Sequence, residues 1–147
     1  MKKIVIYTDG GSRGNPGPAA AGAVFCNERG EMIKEICQYL GEDITNNEAE
    51  YQAVIFSLGK FKQLFGKKLA KATEVEIRSD SELMVQQLSG KYKILEPNIQ
   101  TLFINLWNLK LDFKKVNFKL IHRKHNQEAD RLVNEALDGQ SRTQKLL

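Results

Sequence analysis

A chain of 147 residues, 41% of them hydrophobic, is enough for one domain that buries roughly two thirds of its unfolded surface, and too little for two cores. No apolar run is long enough to cross a bilayer, and the run after Lys2-Lys3 meets Asp9 too early for a signal peptide, so a cytoplasmic protein without membrane contact is expected. Twenty-two basic residues against 18 acidic ones, a net charge of +4, lean toward polyanionic partners but decide nothing alone.

Ile4-Val5-Ile6-Tyr7 reads as a strand buried on both faces, delivering Asp9 at the edge of the core, and Gly10 to Pro18 reads as a glycine-rich loop able to bring backbone close to a ligand. Ala19 to Asn27 and Glu31 to Leu40 form a hairpin turning through Asn27-Glu28-Arg29-Gly30. Cys26 then lies opposite a residue near Ile33. Cys37 falls about four residues off register, on the order of 13 Å away and too far for a disulfide, so two reduced, packed thiols are expected.

Thr45-Asn46-Asn47-Glu48 matches a capping box and opens a helix running to about Phe65, before Gly66. Glu74 to Ser79 alternates as a strand, ends at Asp80 and leads into a helix from Glu82 to Leu88. Pro97 opens an amphipathic helix over Ile99 to Leu111, Val116 to Ile121 is a last strand, and Asn126 caps a final helix ending near Leu137. One domain over residues 1–139 follows, with 140–147 as a frayed tail. Its class is α/β: a mixed five-stranded sheet, three antiparallel strands and then two parallel ones, with helices on both faces.

Helix phase singles out particular acids. Glu50 shares a face with Ala53, Val54, Ser57, Leu58 and Phe61, a stripe suited to burial, whereas Glu48, two residues away, points elsewhere and serves the cap. Asp130 begins the inner face of the last helix above Val133 and Leu137. Each acid has an ordinary explanation taken singly: a turn bond for Asp9, an N-cap for Asp80, a favourable helix-dipole position for Asp130. Together, two acids at strand ends and two at helix starts converge on one sheet edge. Such a cluster repels itself, and oxygen ligands without closed Cys/His spacing suit Mg²⁺, which supports displacement at phosphorus.

Tyr7-Thr8-Asp9-Gly10-Gly11-Ser12 with Gly14-Asn15-Pro16-Gly17-Pro18, Thr45-Asn46-Asn47-Glu48-Ala49-Glu50, Ser79-Asp80-Ser81 and Asn126-x-x-Ala-Asp130, in that order over nearly the whole chain, resemble type 1 ribonuclease H. The resemblance implies a ribonuclease H-like fold and a monomeric endonuclease cutting the RNA strand of RNA–DNA hybrids. Asp9, Glu50, Asp80 and Asp130 would hold two Mg²⁺, with Mn²⁺ able to substitute. It also implies nucleic-acid contacts from Gly11, Ser12, Arg13, Asn15, Thr45, Asn46 and Asn47. The chain departs from larger bacterial members in three places. The segment Ile121 to Asn126 is short and aligns no histidine with theirs, leaving Arg123 and His125 as candidate auxiliaries; the basic helical insert between Leu88 and Pro97 is absent; and Glu82 stands where a glutamine is often found.

Three other functions compete. A sugar-kinase or actin-like ATPase needs a second lobe that this length does not provide, and a Walker-type site needs a Gly-Lys-Ser/Thr end missing after Gly17. A catalytically silent nucleic-acid-binding domain of the same fold has no reason to keep all four acids.

Overall fold

The computed structural model describes residues 2–146. Five strands, β1 (Lys3–Ser12), β2 (Gly17–Cys26), β3 (Met32–Ile44), β4 (Glu74–Ser79) and β5 (Lys115–Leu120), form one sheet in the order β3-β2-β1-β4-β5. The β1–β2 and β2–β3 pairs are antiparallel and the β1–β4 and β4–β5 pairs parallel, the mixed arrangement expected. Its helices are α1 (Asn46–Phe65), α2 (Lys67–Ala72), α3 (Glu82–Leu88), α4 (Pro97–Lys110) and α5 (Gln127–Leu146), with a 3₁₀ turn at Arg123–His125.

Side-chain alternation along β1 divides the core. Ile4 and Ile6 point into the main cluster with Tyr51, Val54, Leu58 and Phe61 of α1, which also takes in Ile99 and Leu106 of α4. Val5 and Tyr7 point the other way, onto Leu132 of α5, while Ala20 packs on Val133 and Leu137. Helices therefore cover both faces. Glu48 completes the capping box, its Oε1 accepting from Thr45 N at 3.1 Å while Thr45 Oγ1 accepts from Glu48 N at 3.2 Å.

Several expectations are corrected. β1 continues through Gly10-Gly11-Ser12 because β2 keeps pairing with it, from Asp9↔Gly22 to Ser12↔Ala19, so Asp9 lies within a strand. The short helix α2 was not anticipated; Gly66, read as a stop, adopts φ 89° and separates two helices. Ser81, not Asp80, caps α3, accepting from Met84 N. Asn126 does not cap α5 with its side chain, which is engaged elsewhere. α5 passes through Gly139 to Leu146, across the stretch expected to fray, since one helical glycine weakens a helix by only about 1 kcal/mol. Cys26 pairs with Met32 in register and is buried, but Cys37 is exposed; both are free thiols.

Candidate active site

Parallel pairing between β1 and β4 ends at Tyr7↔Arg78. Asp9 and Asp80 come just beyond it, where the neighbouring strands part, the position at which α/β sheets open crevices. Two glycines draw helices to the same level. A Cβ on Gly10 would lie 2.2 Å from the carbonyl carbon and oxygen of Ala49 and 2.5 Å from Glu50 N, so bare backbone lets the first turns of α1 press against β1. A Cβ on Gly22, the β2 partner of Asp9, would lie 2.6 Å from Ala129 O, so α5 begins against the opposite face.

The result is a carboxylate cluster. One oxygen from each of Asp9, Glu50 and Asp80 lies within 4.8 Å of the others. Asp130 is exposed rather than buried along the α5 stripe, and it lines the same cavity. Asp9 is 9% exposed, and burial pushes its carboxyl up to about 7; a hydrogen bond with Glu50 opposes the rise, and the charges of Asp80 and Asp130 add to it. Burial, and then the Asp9 charge, hold the Glu50 carboxyl well above the usual carboxylate range, although the Gly10 N–H favours its anion. Glu50 Oε2 is buried with no hydrogen-bond partner. An all-oxygen cluster that resists ionisation and leaves one buried oxygen unsatisfied fits a hard divalent cation.

The cavity has a volume of about 790 Å³, and its walls include Gly11, Ser12, Arg13, Asn15, Thr45, Asn46 and Asn47, all expected to meet nucleic acid. Three of these are cross-tied: Ser12 N donates to Asn46 Oδ1 at 2.8 Å, and Asn46 N to Asn15 Oδ1 at 2.9 Å. Arg13 is held from α5, 2.8 Å from the Asp138 carboxylate. Ser12 Oγ and Asn47 Oδ1 are buried and unpartnered. Arg123 reaches the site, its Nε 3.5 Å from Asp80 Oδ2. His125 instead lines a neighbouring cavity with Tyr7, Cys26 and Met32.

Sequence reasoning missed the part played by Asn126. Only 2% exposed, it donates from Nδ2 to Thr8 O at 2.8 Å and to Asp80 Oδ1 at 3.2 Å, tying β1 to the acid after β4. Its place four residues before Asp130 suggested a cap; only the approach of distant elements shows otherwise.

Strand order and carboxylates together define the ribonuclease H-like class. Residues 7–136 match the family described as "Reverse transcriptase-like". The chain is 33% identical to "Ribonuclease H" of Clostridium botulinum, covering 94% of this chain and 97% of that one. Its identity to "Bifunctional protein Rv2228c" of Mycobacterium tuberculosis is 39%, over 92% of this chain but 36% of the relative, so it spans about a third of that longer protein. Among solved structures, that of LC11-RNase H1 in complex with an RNA/DNA hybrid superposes with a TM-score of 0.87 at 46% identity, covering 92% and 97% of the two chains. The chain belongs to the ribonuclease H family, in its type 1 branch.

Proposed function

We propose that this protein is an endonuclease that hydrolyses the RNA strand of RNA–DNA hybrids, with Asp9, Glu50, Asp80 and Asp130 holding two divalent cations, Mg²⁺ by preference. The observation that carries the reading is the close approach of Asp9, Glu50 and Asp80 with a buried Glu50 oxygen left over for a ligand. The hybrid seated on LC11-RNase H1 supports the substrate class. The chemistry such cations supply when bound is activation of water and neutralisation of the oxygen that leaves phosphorus.

The protein's own groups prepare the rest. Asp9 and Glu50, costly to ionise when buried, keep the centre of the site short of charge until a cation arrives. Asn126 fixes the angle of Asp80. The Gly11 to Asn15 strand end and the Thr45 to Asn47 helix start form one cross-tied wall, whose amides and hydroxyls suit 2′-hydroxyls because those groups both donate and accept. Arg123, exposed above Asp80, is placed to meet a phosphate.

The test uses labelled hybrid, RNA duplex and DNA duplex, each with Mg²⁺, Mn²⁺ or EDTA. Cleavage of RNA in the hybrid alone, dependent on metal and leaving 5′-phosphate and 3′-hydroxyl ends, is expected. Undiminished cleavage in EDTA contradicts the proposal, and binding without cleavage in either metal favours a silent hybrid-binding domain.

A further inference from the structure

The end of the sheet away from the carboxylates carries the opposite charge. β4 enters at Glu74, whose N–H bonds Lys2 O and whose register partners are Lys3 and Lys115, while Lys114 N bonds Thr73 O beside it. Across the same end, where α2 meets the end of α4, Lys62 pairs with Asp112 at 2.6 Å and Lys71 Nζ donates to Leu111 O at 3.2 Å. The hydrogen bond from Lys62 holds the Asp112 carboxyl below its usual range, and the charges of Lys67 and Lys71 add to the effect.

Lys2, Lys62, Lys67, Lys71, Lys114 and Lys115 thus surround two carboxylates, Glu74 and Asp112. The excess equals the net charge of +4 carried by the entire chain. Lysine at this end is also unspent. Arg13, Arg29, Arg78, Arg123 and Arg131 all pair with acids elsewhere, whereas Lys2, Lys67, Lys71, Lys114 and Lys115 are exposed and form no ion pair among the described residues. Trp107, 45% exposed, lies one turn from the end of α4, with Lys110 Nζ 4.1 Å from its ring centre. From Lys3 to Asp9 the strand itself sets the two ends on the order of 20 Å apart.

We propose that this lysine pole is a second nucleic-acid contact, taking the phosphate backbone of a segment other than the one at the carboxylates, without regard to sequence. Two features favour a backbone over a compact anion: the charges come from four separate parts of the chain, and none is buried into a pocket. Lysine serves such contacts as a point charge, without the fixed fork of arginine. The inference goes beyond the proposed cleavage and does not rest on it, because binding is measured without turnover.

Trp107 supplies the readout, being the only tryptophan in the chain. Wild type and the triple variant K67Q/K114Q/K115Q are titrated in EDTA, across a range of salt, with a DNA duplex of about 30 base pairs, long enough to cross a domain of this size. Inorganic phosphate and polyglutamate are separate arms. Expected are a Trp107 fluorescence change with wild type, a salt-dependence slope lower by about 2–3 in the variant as three phosphate contacts are lost, and no comparable binding of phosphate or polyglutamate. Turnover on a hybrid too short to reach both ends should be unchanged. An unaltered slope would show a merely solvated face and overturn the proposal. So would preferential binding of polyglutamate, which would indicate an acidic protein partner, or equal loss on short and long substrates, which would put these lysines at the cleavage cavity.

Discussion

The Asn126 amide holds the Asp80 carboxylate at 3.2 Å while bonding Thr8 O at 2.8 Å, so one side chain sets the distance between β1 and the acid following β4. Asn126→Ala should leave the Thr8 carbonyl without this bond and Asp80 free to rotate. The expected cost is about 1–3 kcal/mol of stability, with weaker Mg²⁺ binding by calorimetry. A variant that keeps wild-type metal affinity would show that Asp80 needs no such guide.

Glu50 and Glu48 belong to one short motif but do different work. Glu50→Gln should abolish cleavage and leave the fold intact. Glu48→Ala should retain most activity and lose about 0.5–2 kcal/mol through the broken capping box. Urea unfolding and a hybrid-cleavage assay on both variants check the pair, and the reverse pattern would contradict the site as described.

Glycine substitutions separate close approach from mere flexibility. Gly10→Ala places a Cβ against the Ala49 carbonyl and Gly22→Ala places one against Ala129 O, both backbone atoms that cannot swing away. Each should destabilise by roughly 3 kcal/mol or more and displace an acid-bearing helix. Gly59→Ala, on α1 with nothing within 4 Å, should instead stabilise by about 0.5–1 kcal/mol. Thermal melts of the three variants suffice.

The raised Asp9 carboxyl has a definite pH signature. A carboxyl whose pKa is higher folded than unfolded binds its proton more tightly in the native state, so stability falls as pH rises from 3.8 to about 7. In EDTA, wild type should therefore lose up to roughly 4 kcal/mol over that window from Asp9. Asp9→Asn should flatten the profile, melt higher at pH 8 and cleave nothing. Mg²⁺ should stabilise wild type more than the variant, since it binds the native site. A variant melting below wild type in EDTA at pH 8 would contradict the destabilising effect of the buried Asp9 charge beside Asp80 and Asp130.

Arg123 and His125 sit two residues apart and open onto different cavities. His125→Ala should change steady-state cleavage by less than about threefold. Arg123→Ala should reduce it by about tenfold, the scale of one charge-assisted phosphate contact. Its stability should barely move, because the Arg123 side chain is 89% exposed and such ion pairs contribute little.

The sequence by itself determined most of the element types, α2 and the far end of β1 aside, the mixed sheet, and which acids to consider, because these are local matters: apolar runs mark strands, Thr45 and Glu48 mark a helix start, and helix phase separates Glu50 from Glu48. It also carried, in ordered motifs, a resemblance that named the family. What it could not decide depended on which distant backbones touch. Asn126 has the appearance of a cap until β1 and Asp80 come within reach of its amide. Gly10 and Gly22 look like loop and strand glycines until α1 and α5 are seen resting on them. Asp130 shares a helical stripe with Val133 and Leu137, yet at the first turn of α5 it is exposed and lines the cavity instead of joining the core. The lysine pole was invisible for the same reason: its charges lie far apart in sequence, and only the return of α4 and β5 past α2 gathers them at one end.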